Sequence, residues 1–297
     1  MSKTIITTTA LLFTTLLAFS QDFRKQFRDF SAKDDTSGQA KVLAAWEKAT
    51  PKDPELFIAY FNFYVKKSSA EIVSLDQTKN TQNSFVITDT TSGKPVAFLN
   101  SSLNYKSDIL QKGFEYMDHG IELYPSRLDM RFGKIYMLGE AENYPEFVKE
   151  IVLTIDYSTK INNNWLWKEG KPLENPKKFF LGTPQVYVKT IYNTEDDKLL
   201  PLIRQISEAV IKYYPDHVES LANIALTYLL TEEYDKALPF LLKAEKIAPK
   251  DIVVLNNIAE TYKQKGDKAN ARIYYEKIIQ NGSKEESQRA KAQLQTL

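Results

Sequence analysis

"NNIAETYKQKGDKANARIYYEKI", residues Asn256–Ile278, sets Ala, Tyr and Lys around a single Gly. A shift of 34 residues brings an upstream stretch into register with it. Leu221 falls on Leu255, Asn223 on Asn257, Ile224 on Ile258 and Ala225 on Ala259; Thr227, Tyr228, Ala237 and Lys243 fall on Thr261, Tyr262, Ala271 and Lys277. So many identities in one frame exceed what composition gives, and this period is that of a helix–turn–helix unit. The spacing inside each copy agrees. Leu221, Ile224, Ala225 and Tyr228 lie at i, i+3, i+4 and i+7, one stripe of a helix. Ala225 and Ala259 are small where a second helix must come close. Glu232–Asp235 and Gly266-Asp267 supply the turn, Gly266 because a positive φ costs it little. Ala237, Leu241 and Ala244, then Ala271, Tyr275 and Ile278, form the second stripe, and Pro249 ends the first copy.

"LANIALTYLLTEEYDKALPFLLKAEKIAP" and "LNNIAETYKQKGDKANARIYYEKII" resemble tetratricopeptide (TPR) repeats over Val218–Ser283. The resemblance implies an all-α solenoid. About three copies or more are needed to bury a continuous core, so degenerate copies are expected upstream. "LLPLIRQISEAVIKYYPD" ends at Pro215, one period before Pro249, and reads as a second helix after "TPQVYVKTIYN". "GFEYMDHGIELYP" places Gly113 and Gly120 seven apart around Met117, and "RLDMRFGKIYMLGEAENYPEFVKEIVLTI" reads as helix, turn near Gly139–Tyr144, helix. "QAKVLAAWEKATPKDPELFIAYFNFYVKK" places Pro51 after one helix and Pro54 in the first turn of the next. About five to six helical pairs result. Ser283-Lys284-Glu285-Glu286 reads as a capping box opening a polar last helix.

Two segments break the pattern. Within residues 68–106, "SFVITDTTSGKPVAFL" predicts a β-hairpin near residues 85–99, turning at Thr91-Ser92-Gly93. Residues 156–182 hold Asn162–Asn164, Trp165, Trp167, Gly170, Pro172, Pro176 and Gly182 and predict a long loop. The expected division is a signal peptide (residues 1–20), a degenerate helical region (21–182) and clear repeats with a C-terminal cap (183–297).

The signal peptide follows from "MSKTIITTTALLFTTLLAFSQDF", with Lys3, an apolar stretch from Ile5 to Phe19 and small residues at Ala18 and Ser20. The stretch is shorter than the roughly 20 residues that span a bilayer. The expectation is a mature chain from about Gln21, exported across an inner membrane to the periplasm or envelope. No cysteine is present, so disulfides, thiolate metal sites and lipidation at an N-terminal Cys are excluded. The 39 basic and 38 acidic residues balance, which leaves no electrostatic footprint for nucleic acid.

Catalytic chemistry finds no support. The two histidines, His119 and His217, are not at metal-ligand spacing. No nucleophile elbow, phosphate loop or dinucleotide fingerprint occurs. The expectation is a non-enzyme with no cofactor and no metal. The family resemblance implies a concave face lined by first helices. Here that face takes Glu219, Ala222, Asn223, Leu226 and Leu230 from one copy, and Val253, Asn256, Asn257, Glu260 and Lys263 from the next. Asn223 and Asn257 recur one period apart and suit a peptide backbone, since an amide donates and accepts. Some relatives grip a C-terminal carboxylate with a basic clamp; the matching positions here hold Ala222, Leu226 and Glu286, so that mode is not expected. Trp165 and Trp167, two apart in a polar loop, either pin the loop or face a ligand. The expected function is protein or peptide binding. The alternatives are a scaffold subunit of an envelope complex and a glycan or peptidoglycan binder using the two tryptophans.

Overall fold

The computed structural model describes residues 22–79 and 84–297; the signal-peptide reading of residues 1–20 lies outside the described residues. The described chain packs as two compact units, one of residues from 22–134 with 166–171 and one of residues 135–165 with 172–297. Close packing separates the chain inside a helix near residue 134.

The first unit begins with α1 (residues 22–32), α2 (Thr36–Ala49) and α3 (Pro54–Ser68). Asp53 fixes the α2–α3 corner with both carboxylate oxygens. Oδ1 accepts from the Glu55 backbone N–H (3.0 Å) as an N-cap, and Oδ2 accepts from Trp46 Nε1 (3.0 Å). Pro54 occupies the first turn, where no donor is needed. After the insertion comes α4 (Ser107–Leu123). Its Gly113 and Gly120 let it lie close on α3: a Cβ at residue 120 would stand 2.9 Å from Phe57 Cβ. Tyr60 and Tyr116 stack in the same seam at 4.0 Å. Arg127 is buried beside it and bridges Glu55 (2.8 Å) and Asp129 (2.7 Å), which together hold its guanidinium charged against the cost of burial.

The insertion is larger than a hairpin. β2 (Phe85–Thr88) and β3 (Pro95–Tyr105) pair antiparallel around the expected turn, where Asp89 Oδ1 accepts from the Thr91 and Ser92 N–H groups. A third strand, β1 (Ser69–Asp76), pairs with β3 along its whole length, giving the order β1-β3-β2. Sequence reading missed β1 because "SAEIVSLD" follows α3 without a turn signal.

The chain passes between units inside α5 (Leu128–Glu140). The second unit continues with α6 (Tyr144–Lys160), α7 (Pro176–Tyr192), α8 (Leu200–Tyr213), α9 (Val218–Leu230), α10 (Tyr234–Ile247), α11 (Ile252–Gln264), α12 (Lys268–Asn281) and α13 (Lys284–Leu294). The 34-residue period is visible in contacts as well as identities. Tyr228 stacks on Phe240 at 6.2 Å, and one period later Tyr262 stacks on Tyr274 at 5.8 Å. Leu221, Ala225, Ala237 and Leu241, with Leu255, Ala259 and Ala271, form one buried core. The capping box is present: Ser283 Oγ accepts from Glu286 N–H, and Glu286 accepts from Ser283 N–H.

Several helices close on one left-handed residue. Asp34, Glu142, Glu232 and Gly266 all have φ between 54° and 76°, and the following N–H returns to the carbonyl five residues back, as in Asn143 to Leu138 (2.9 Å) and Glu233 to Tyr228 (2.8 Å). This is the Schellman closure, and only one of the four positions is glycine.

The expected loop at 156–182 is shorter. Residues 156–160 complete α6, and residues 176–182 open α7. Pro176, counted with the loop, sits in the first turn of α7, and Pro184, expected at the start of a helix, is buried inside it. Between the helices, β4 (Leu166–Trp167) pairs with β5 (Lys171–Pro172) around a 3₁₀ turn. Trp165 is not a ligand platform: it is 1% exposed, lies against Tyr157 and Phe180, and donates from Nε1 to Ser158 Oγ (3.0 Å). Trp167 is half-buried and meets Phe132 edge-on. Among the described residues no helix is long and apolar enough to cross a membrane.

Candidate functional site

Within the second unit, α7 and α9 are the first helices of neighbouring pairs and pack side by side. Their side chains leave one groove with three adjoining parts. The mouth, about 800 Å³, lies between Asn162, Asn163, Lys177, Lys178, Leu181 and Gln185 on one side and His217 and Glu219 on the other. A narrower cleft of about 180 Å³ continues along Gln185, Val188, Lys189 and Tyr192 of α7 against Asn223, Leu226 and Leu230 of α9. The far end, about 320 Å³, shares Tyr192, Ile203 and Leu230 with the cleft and adds Glu195, Asp196 and Asp197. Gln185 joins the first two parts. The wall is apolar in the middle, where Leu230 is 42% and Tyr192 44% exposed. Its charge runs from lysines at the mouth to carboxylates at the far end.

Local structure sets each of these groups. Asn162 and Asn163 take left-handed backbone just after α6, a conformation that Asn tolerates better than most residues. Asn163 Oδ1 is locked by Ser158 Oγ (2.8 Å) and the Tyr214 hydroxyl (2.9 Å), so this edge of the mouth is rigid. His217 is the N-cap of α9: its Nδ1 accepts from the Ser220 N–H at 3.3 Å. Burial pushes its imidazole below the ordinary 6.5, while Glu219, 3.4 Å from Nε2, pulls the other way. Asp156, beside the same turn, is held below the usual carboxylate range by the Tyr213 hydroxyl.

The structure brings Glu219, Asn223, Leu226 and Leu230 together on this groove, and Ala222 half-buried beside them. The rest of the expected set is dispersed. Asn223 does not present a free amide: its Nδ2 donates to Gln185 Oε1 at 2.7 Å. Glu260 is occupied by the Tyr275 hydroxyl (3.0 Å) and Gln264 (2.7 Å). Lys263 donates to Gln293 (2.6 Å) and Thr296 (3.0 Å), so α13 takes it as a cap contact. The two are taken by different neighbours: Glu260 by the second helix of its own pair, and Lys263 by the C-terminal segment. Asn256 stays exposed and Asn257 half-buried on α11. Sequence reading missed Gln185, Lys189 and Tyr192, because "TPQVYVKTIYN" carries no identity to the clear repeats. The one available signal was its position before "LLPLIRQISEAVIKYYPD", which makes it a first helix.

Among the described residues no group of three or more His, Asp or Glu could hold a metal ion. His119 is exposed, stands 3.6 Å from Glu122 of its own helix and meets Phe57 edge-on.

A family model described as tetratricopeptide repeat matches residues 218–251 and 252–281. Among solved structures the chain is similar to a tetratricopeptide repeat protein from Parabacteroides merdae, at 11% identity over 90% of this chain and 81% of that one, with a TM-score of 0.35. It is similar to the C-terminal part of a TPR repeat-containing protein from Cytophaga hutchinsonii at 14% identity, covering 87% and 78%, TM-score 0.43. YrrB, described as a TPR protein with an unusual peptide-binding site, is 16% identical over 84% and 97%, TM-score 0.39. No curated protein matches the chain.

Proposed function

From a chain that is a tetratricopeptide-repeat protein, a fold of protein interaction and scaffolding, we propose that it binds an extended segment of a partner protein in the α7–α9 groove and catalyses no reaction. One observation carries this reading. Three adjoining cavities share Gln185, Tyr192 and Leu230 and are apolar in the middle, with Lys177, Lys178 and Glu219 at the mouth and Glu195, Asp196 and Asp197 at the far end. From Lys178 to Tyr192 the helix rises about 21 Å. That span takes about six residues of extended peptide. The fitting segment carries an acidic residue toward the mouth, apolar side chains beside Leu226 and Leu230, and a basic residue at the far end. The rigid edge at Asn163 and the Asn223–Gln185 bond pre-shape the wall, which lowers the ordering cost of binding.

Export belongs to the same proposal: residues 1–20 direct the chain across the inner membrane, and the groove works in the envelope. N-terminal sequencing of the chain recovered from envelope fractions tests it; a start near residue 21 supports export, and an intact Met1 in the cytosolic fraction overturns it.

The groove is tested by selecting peptides from a random display library on the immobilised protein, then titrating them by calorimetry. The expected result is a shared acidic–apolar–basic order, with affinity at least tenfold weaker for Leu226→Asp and unchanged for Asn256→Ala. Enriched peptides that bind Leu226→Asp as well as the parent chain would place the site elsewhere.

A further inference from the structure

The three-stranded sheet carries an apolar face that the described residues leave uncovered. Register puts Leu75, Leu99 and Phe85 in one row across β1, β3 and β2. Val73, Ile87 and Leu103 lie on the same side by strand alternation. Phe85 is 73% exposed, Leu75 64%, Leu103 62% and Val73 57%. The opposite face also exposes Ile72 (45%), Val86 (51%) and Val96 (56%), but sets polar groups among them. There Asn100 is buried, donating to Asp76 Oδ2 (2.7 Å) and the Thr78 carbonyl (3.1 Å) and bonded to Ser84. Among the described strand residues one carboxylate stands on the apolar face, Glu71, and it is already hydrogen-bonded to Ser101.

Six side chains of this size and exposure present roughly 600 Å² of apolar surface, the upper end of what a monomer shows as one patch. Two such faces in contact bury about 1,200 Å², the lower bound of a standard specific interface. We propose that the chain is a homodimer in which this sheet face packs on the same face of a second copy. A second copy is the occupant that fits the chemistry. The face is apolar and almost free of charge, as homodimer interfaces tend to be, and it has no charge pattern with which to select a different partner. The twofold axis passes near Leu99 on the central strand, with the sheets about 10 Å apart. The insertion thus serves assembly, independently of the α7–α9 groove.

The absence of cysteine makes the geometry directly testable. The full chain is measured by sedimentation equilibrium at micromolar concentration, and the expected mass is twice the single-chain 34.1 kDa. Leu75→Lys with Phe85→Lys, both at exposed positions, should weaken self-association by roughly a hundredfold, since each ammonium would be buried unpaired. The far-UV spectrum should not change, and Tm should lose its dependence on protein concentration. On the otherwise unchanged chain, Leu99→Cys should cross-link through a short bismaleimide, and Val96→Cys on the opposite face should not. A monomer at tens of micromolar, a dimer that survives both lysines, or equal cross-linking at the two cysteines would overturn the proposal.

Discussion

Trp165 separates two readings of the segment between α6 and α7, and replacing it tells them apart by magnitude. The indole is 1% exposed and stands between Tyr157 and Phe180, with its N–H on Ser158, itself buried. Truncating a fully buried aromatic to Ala costs about 3–5 kcal/mol. Loss of the Nε1 hydrogen bond contributes about 1 kcal/mol of that order. For a unit of this length each kcal/mol moves Tm by about 2–4 °C, so Trp165→Ala should lower Tm by roughly 10 °C or more. Trp165→Phe keeps most of the ring and loses the donor, and should cost about 1–2 kcal/mol. The assay is thermal unfolding followed by circular dichroism at 222 nm, with urea melts to check that the m-value is unchanged. A tryptophan serving as a ligand platform would behave in the opposite way, since its removal leaves the fold intact. A Tm within about 3 °C of the parent for Trp165→Ala would refute the packing argument.

Other consequences follow from single contacts. Gly120→Ala gains about 1 kcal/mol of helix propensity. Its Cβ would stand 2.9 Å from Phe57 Cβ, which the α3 backbone anchors, and such overpacking costs about 1–3 kcal/mol. The net is destabilising. Gly182→Ala in α7 meets nothing within 4 Å and should stabilise by about 1 kcal/mol; chemical denaturation of both variants gives the signs, and a stabilised Gly120→Ala would contradict the close approach of α3 and α4. His217 is held below its ordinary pKa of 6.5 by burial. The unfolded chain therefore binds this proton first as pH falls, so stability is flat above about 6.5 and declines below it. His217→Asn, which can still cap α9, should flatten that part of a Tm-versus-pH curve; an unchanged slope would remove His217 from the account. Ser283→Ala removes the Oγ that accepts from the Glu286 N–H, while the backbone N–H of residue 283 can still donate to the Glu286 carboxylate, and should cost about 1 kcal/mol. Hydrogen exchange should then speed up in α13 and leave α9 unaffected, and undiminished protection in α13 would show the cap to be idle.

The repeat itself was legible in the chain because it rests on local rules. Small residues at Ala225, Ala237, Ala259 and Ala271 recur where helices meet, and each is fully buried. The pair Gly113 and Gly120 announced a close helix contact, and Ser283 with Glu286 announced a helix start; both depend on neighbours within one helical turn or two. The turns were less legible. A left-handed residue closes the helices before Glu142 and Glu232 as it does before Gly266, but glutamate advertises nothing, since the surrounding hydrogen bonds impose the conformation. Pro176 misled for a related reason: a proline is no obstacle in the first turn of a helix, where its missing N–H has no partner to lose.

The site was only half legible. Sequence fixes which residues of α9 face its neighbour, through the 3.6-residue period. It does not say what lies opposite. Gln185, Lys189 and Tyr192 come from a helix without recognisable identity, and they convert one side of α9 into a wall of a groove. Tertiary placement likewise engaged Lys263 with α13 and Glu260 with Tyr275 of α12, and put Trp165 in a core instead of on a surface. Strand alternation, again local, shows which side chains of β1, β2 and β3 share a face; that the face is left bare depends on every other element of its unit packing elsewhere. Periodicity is written residue by residue along the chain, whereas exposure is a property of everything that surrounds a residue.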